Sequence, residues 1–319
     1  MKAKFRKSTF KKLFGAGVKV LTKEEATKVD LGPLTQLLGK WSSPRPIGDD
    51  PAEGWNVIAV PGPTNTQGFT LEVIPYMETW SFSPVVVASN RGAFKGSKQT
   101  VQLLSGLIYE QKVTSVCDSK FCTDRGFGDG QEIHAETGLF LNMTENPDFN
   151  ICRLSTIPHG NSVLALGQSF EFVPKDNSFI QTASTIPTTV QGGNPPLGYS
   201  EIQYDKNQFA NFDQRDPNSF LKQALGKKKI SAMTTLAFST EHPSGGILNV
   251  PFIKDNVNTT SMNSTFWIET IKQAGKKPDL LQLQYTQTIN IVFPPTGSKV
   301  PFVWPHVTIN TMTKESDPV

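Results

Sequence analysis

The chain has 319 residues, a net charge of +3 and only 18% charged residues. That length suits one large β domain or two smaller ones. No run approaches the ~18 consecutive apolar residues of a membrane span, so none is expected. The basic residues gather at Lys2, Lys4, Arg6, Lys7, Lys11 and Lys12 and again at Lys227–Lys229. Only Phe5, Phe10 and Phe14 accompany the first group, too little stacking surface for nucleic-acid binding, which is rejected as the main function.

Residues 1–30 read as a basic arm with a weak helix at 23–28, and 31–319 as a single enlarged β-barrel domain. Phe14–Leu21 is too short and too interrupted to be a signal segment. Leu31–Leu38 is a short apolar helical turn leading to Trp41, placed to plug one end of a barrel. Strand patterns follow at 55–60 and 70–74, and then Tyr76, Glu78, Trp80 and Phe82 share one face at period two. Further strands are expected at 101–115, 132–143, 149–157 and 162–172, with loops at 90–98 and 118–131 and a tight turn at Pro158–Asn161.

Residues 172–270 read as a divergent or inserted segment. Asp216 is the expected N-cap of a helix that starts at Pro217, buries Phe220, Leu221, Ala224 and Leu225, and stops at Gly226. Strands resume at 230–239, 247–253 and 265–271, then at 280–293 and 302–313, the last two joined by a Pro-rich hairpin loop. In the final strand His306, Thr308, Asn310 and Met312 fall on one face. Many strands, Pro and Gly in the connections, one clear helix and no internal repeat predict a mainly antiparallel β architecture.

Cys117, Cys122 and Cys152 make an odd count, which predicts reduced thiols and a cytoplasmic setting, with a Cys117–Cys122 loop disulfide as the alternative. No nucleophile elbow, P-loop or dinucleotide fingerprint is present. His134 and Glu136, two apart on one strand, project from the same face. They suit a general base with its orienter, a metal pair completed by His159, or a hydrogen-bonded pair inside a barrel. His306 sits in an apolar strand, where a hydrogen-bonded core histidine and a metal ligand are both open readings.

The order of these blocks is Gly39-Lys40-Trp41, then His134-Ala135-Glu136-Thr137-Gly138, then Pro158-His159-Gly160, then Leu283-Gln284-Tyr285, and last His306 at the start of the final strand. This order resembles nitrobindin and its relatives, the haem-binding branch of the fatty-acid-binding-protein-like calycins, over 31–170 and 280–314. Two departures stand out: Ser42, Ser43 and Pro44 follow the Gly-x-Trp block, and Leu141-Asn142 stands where an arginine is expected.

The resemblance implies a calycin-like barrel holding haem b, with His306 as its metal ligand and His159, Trp41 and Tyr285 as further cofactor contacts. His134 and Glu136 would be the catalytic pair. The chemistry implied is nitric oxide binding, peroxynitrite isomerisation or peroxidase-like turnover. The alternatives are a lipocalin-like binder of an apolar small molecule and a cofactor-independent enzyme using His134 and Glu136. A homodimer is a further expectation.

Overall fold

In the computed structural model the described residues are 18–47, 51–61, 69–87, 104–143, 148–193, 212–275, 277–293 and 301–316. The strands are β1 (Val18–Val20), β2 (Gly39–Ser43), β3 (Gly54–Pro61), β4 (Phe69–Val87), β5 (Leu104–Ser115), β6 (Glu132–Asn142) and β7 (Ile151–Ile157). They continue with β8 (Asn161–Phe172), β9 (Thr188–Thr189), β10 (Ile230–Ser239), β11 (Gly246–Asn249), β12 (Asn258–Ile271), β13 (Leu280–Phe293) and β14 (Phe302–Ser316). Among the described residues four short helices interrupt them: α1 (Lys23–Ala26), α2 (Lys120–Thr123), α3 (Asn218–Leu225) and α4 (Pro251–Asn256).

All the strand pairings are antiparallel, and the wall closes when β4 pairs β5. The result is a ten-stave barrel in the order β4, β2 with β3, β14, β13, β12, β10, β8, β7, β6, β5. Closure leaves no open sheet edge in the wall, so its backbone groups are paired all round. Strands β2 and β3 share one position, β2 meeting one end of β14 and β3 the other.

The period-two pattern decides what fills the barrel. Trp80, Phe82, Tyr109, Phe140, Phe266, Leu283, Tyr285 and Met312 point inward and pack as one buried cluster. At one end Leu34 and Leu37, on a 3-10 turn (Gly32–Leu37), join Trp41, whose indole N–H donates to the Leu37 carbonyl at 2.8 Å. Each fully buried Leu or Phe contributes about 1.5–3 kcal/mol. The expected plug is therefore present, and it closes that end with packed side chains.

A second core lies outside the wall. The outward faces of β3, β12 and β14 present Trp55, Val57, Trp267, Val307 and Ile309. Helix α3 and the segment around Phe179–Ala183 cover them with Ile180, Phe220, Leu221 and Leu225. Phe212 stacks on Trp55 with ring centroids 4.1 Å apart, and the Gln284 side-chain amide donates to the Leu221 carbonyl at 3.0 Å. These strands are thus buried on both faces.

Several expectations change in detail. The runs at 70–74 and 76–82 are one strand, β4. Residues 172–270 supply two staves of the wall, β10 and β12, between β8 and β13, as well as the outer cover. The strand expected at 247–253 ends at Asn249, because Pro251 opens α4. Asp216 does not cap α3: its carboxylate accepts from the Ala183 backbone N–H at 3.0 Å. The expected reduced pair, Cys117 and Cys122, is a disulfide, with Cys152 the buried free thiol. The first 17 residues of the basic arm and the loops at 90–98 and 294–298 lie outside the described residues. β1 joins the arm to the sheet through Val18 opposite Val87. Among the described residues no helix is long and apolar enough to cross a membrane.

Candidate ligand cavity

The interior changes character along the barrel. Above the aromatic plug lies a buried polar layer. Glu78 accepts from the Trp80 indole at 2.7 Å, the Gln111 amide at 2.5 Å, the Tyr285 hydroxyl at 2.9 Å and the Asn310 amide at 2.8 Å. Burial pushes its pKa up, and these donors offset part of that rise. Beside it, Glu136 receives the Arg153 guanidinium at 2.8 Å and the Tyr109 hydroxyl. Burial alone would raise the Glu136 pKa, but Arg153, then His134 and Tyr109, hold it well below the usual carboxylate range. Arg153 is 1% exposed and lies within 5.8 Å of four ring centroids, those of Trp80, Tyr109, Phe140 and Phe266.

Above this layer a cavity of about 470 Å³ opens toward the end of the barrel opposite Trp41. Its walls are largely aliphatic, with Ile58, Ile74, Val113, Ile157, Met262 and Ile289 among them. That size and lining match ordinary small-molecule sites. Phe127 and Arg125 close one side from the β5–β6 connection, and Ile253 and Val257 border another from α4 and the residue after it.

Three of the four histidines of the chain meet here: His134 from β6, His159 from the β7–β8 turn and His306 from β14. The rings of His134 and His159 stack with centroids 5.3 Å apart. Burial, followed by the neighbouring His134, lowers the His159 pKa. His306 is pushed down to about 3, by burial first and then by His134 and His159, so it stays neutral. Its Nε2–H donates to Asn56 Oδ1 at 2.5 Å, and the Thr308 hydroxyl also bonds that oxygen at 3.3 Å. An amide oxygen accepts, so with Asn56 Oδ1 as partner the ring donates from Nε2 and carries its lone pair at Nδ1; Thr308 Oγ1 also lies 3.2 Å from Nε2.

The expected His134–Glu136 pair is present but asymmetric. His134 Nε2 is 3.4 Å from Glu136 Oε2, so the carboxylate orients the ring. His134 lines the cavity, whereas Glu136 lies beneath it and is held by Arg153. Trp41 and Tyr285, expected beside a cofactor, do not line the cavity. The first belongs to the plug, and the second spends its hydroxyl on Glu78 and Tyr76.

Sequence reasoning passed over Arg153, Arg125 and Asn56. Arg153 had a usable signal, being a lone cation at an inward position of an apolar strand. Arg125 and Asn56 had none, since their roles arise from a loop and from a strand partner 250 residues away. Glu72, on β4, also reaches this site. It lines the cavity, 7% exposed, with Oε2 3.4 Å from Arg125 Nε, and burial raises its pKa to about 7 against the lowering influence of Arg125. Among the described residues no group of three or more His, Cys, Asp or Glu side chains is arranged to hold a metal ion.

No protein-family model matches the chain, and no curated protein matches it. A solved structure, the crystal structure of Rv2717c from M. tuberculosis, matches with a TM-score of 0.41 at 15% identity, over 90% of this chain and 100% of that one. The barrel itself is established by the closed circuit of strand pairs described above.

Proposed function

We propose that the open end of this barrel binds a planar apolar ligand of the haem b type, with His306 as the axial base. The observation that carries this reading is the state of His306. It is a neutral imidazole at an aliphatic wall, with Nε2–H committed to Asn56 and its lone pair left at Nδ1. Metal-bound histidines usually donate their other ring N–H to a carbonyl or carboxylate in this way, which fixes the tautomer and makes the lone pair a better base. Haem needs only one such side chain, whereas a bare divalent ion needs three or four. The absence of a three-ligand cluster among the described residues therefore favours a macrocycle over the metal pair of His134 and Glu136.

When bound, the haem would supply an iron atom able to take up nitric oxide or a peroxide. The chain's own residues would bury the ring between aliphatic walls, exclude water, and hold His134 in one tautomer through Glu136. Glu136 itself is a poor base, because Arg153 stabilises its charged form. That weakens the cofactor-free reading, which asks the carboxylate to exchange protons. The apolar-carrier reading uses the same cavity without iron.

Titration with haemin, followed by visible absorption, separates these readings. The haem reading expects saturable binding with a Soret band that shifts or disappears in His306→Ala. A parent protein that stays colourless, or a variant with the parent's affinity and spectrum, sinks it.

A further inference from the structure

We propose that the Cys117–Cys122 disulfide is a redox switch on the wall of the cavity. The closed bond holds the wall in its binding shape, and reduction by a dithiol lowers the cavity's affinity for its ligand. The inference rests on the reading of this cavity as a ligand site and adds a control on it.

The disulfide lies directly behind the cavity wall. Cys117 and Cys122 are 3% and 0% exposed and pack with Ile74, Phe127 and Ile133 in one small cluster, separate from the two large cores. Those three apolar residues come from β4, the β5–β6 connection and β6, and each also lines the cavity. A change at the sulfurs therefore reaches the wall through a single layer of side chains.

The bond also ties down a segment whose backbone is bonded to itself. The backbone N–H of Asp124 donates to the Lys120 carbonyl at 2.9 Å, and those of Arg125 and Phe127 donate to the Cys122 carbonyl at 3.1 Å. The chain just before it is anchored to the barrel instead, with the Val116 N–H donating to the Pro75 carbonyl at 3.0 Å. The disulfide joins the two parts, from Cys117, two residues past β5, to Cys122 in α2. Ion pairs of Arg125 with Glu72 and of Arg45 with Asp129 add to this tie. In each the arginine is 30% exposed or more, where an ion pair is weak beside a covalent link.

Reduction changes both features. It frees the segment, and it moves the sulfurs from about 2 Å to van der Waals separation inside a buried cluster. Packed interiors pass such strain to their neighbours, here Ile74, Phe127 and Ile133. The chemistry is thiol–disulfide exchange. One thiolate of the dithiol attacks a cystine sulfur, the S–S bond breaks, and the released cysteine thiolate takes a proton. The second thiolate then attacks the mixed disulfide, which frees the other cysteine and leaves the reductant as its own disulfide. Two electrons and two protons pass to the cysteines. The Ser119 hydroxyl lies 3.3 Å from Cys117 Sγ and 3.8 Å from Cys122 Sγ, so it can donate to either departing thiolate. Cys152 does not compete: it sits in a different cluster, and burial pushes its thiol up to about 12.

The test uses the full chain, the neutral fluorescent probe Nile red to report cavity occupancy, and dithiothreitol as the dithiol. Nile red should bind about ten-fold more weakly after reduction, an ordinary coupling between two linked sites. Linkage makes the effect reciprocal. Saturating Nile red should make the disulfide about ten-fold harder to reduce in dithiothreitol redox mixtures, or about 30 mV for a two-electron couple, read by thiol labelling and mass spectrometry. Cys117→Ser/Cys122→Ser should bind Nile red as the reduced parent does and ignore dithiothreitol, whereas Cys152→Ala should respond like the parent. Haemin is titrated into the parent and the double variant without dithiol.

Equal Nile red affinity before and after reduction, or a redox equilibrium indifferent to the probe, overturns the proposal. So does a response that survives in the double variant or is lost in Cys152→Ala, or a bond that dithiothreitol does not reduce in the folded protein. If haemin gives the same Soret band and affinity in the parent and the double variant while Nile red ignores the bond, the haem reading stands and the switch falls. If Nile red follows the redox state and no Soret band forms, the switch stands and haem falls. A parent protein that binds neither Nile red nor haemin removes both.

Discussion

Replacing Arg153 by methionine isolates the energetic centre of the barrel. The guanidinium is 1% exposed and bonds Glu136 at 2.8 Å, Gln287 at 2.7 Å and Ser155 at 3.1 Å. Methionine fills most of the stem's volume, so little cavity is created. What remains is Glu136, 2% exposed, with the guanidinium beside it gone and the His134 ring 3.4 Å away. Breaking one side of a buried ion pair costs about 3–5 kcal/mol. A chain of this kind has a total stability on the order of 5–15 kcal/mol, so the loss is a large fraction of it.

With a urea dependence of about 3 kcal/mol per molar, a loss of about 4 kcal/mol moves the unfolding midpoint down by ~1.3 M. Because the damage comes from an orphaned charge, Arg153→Met combined with Glu136→Gln should recover most of it. The pH dependence has a definite sign. The folded Glu136 pKa lies below its ordinary value of 4.5, so the pair's contribution is complete above that pH and is lost as pH falls through the depressed folded value. The parent and the double variant should therefore converge in acid. Urea unfolding followed by tryptophan fluorescence is the assay. A single variant within 1 kcal/mol of the parent at neutral pH, or a double variant no better than the single, refutes the reasoning.

Gly138→Ala should abolish soluble folding or cost roughly 3 kcal/mol or more, since the new Cβ would sit 2.0 Å from the Leu154 carbonyl oxygen and 2.8 Å from the Tyr109 hydroxyl; a parent-like melting curve would refute this. His306→Gln should flatten the loss of stability as pH falls from 6.5 toward 3, because the unfolded chain takes up a proton there that the folded His306 refuses; identical acid profiles for the two proteins would refute it. Paired Cys117→Ser and Cys122→Ser substitution should cost about 2 kcal/mol in denaturant unfolding; an unfolding midpoint equal to the parent's would refute this.

Where alternation carries the information, the fold was legible. Tyr76, Glu78, Trp80 and Phe82 share the inward face as their period requires, and β13 begins and ends where its pattern does. The strands of 230–239 and 265–271 were visible too, but their place in the wall was not. A pairing partner is a long-range choice, and β12 buries Phe266 and Ile268 in the barrel while Trp267 and Ile271 face the outer core. The switch at Asn249 to a helix was hidden because the apolar residues of 247–253 fit either period, and only Pro251 marks the boundary.

Among site residues, His134, His159 and His306 converge in one cavity, because each lies on, or next to, the same end of its strand. Glu136 does not reach the cavity, since Arg153, one strand across, draws it into the buried layer. Trp41 and Tyr285 followed the ordinary logic of large aromatics in a barrel, which is packing.

The central claim is that His306 presents Nδ1 to a planar ligand while Asn56 holds Nε2. A crystal structure of the protein grown with haemin tests it most directly. The account predicts planar density between the aliphatic walls, with iron bound to His306 Nδ1 and the Asn56 hydrogen bond intact. Density bound elsewhere, or a cavity refilled by its own side chains with His306 turned away, would contradict it.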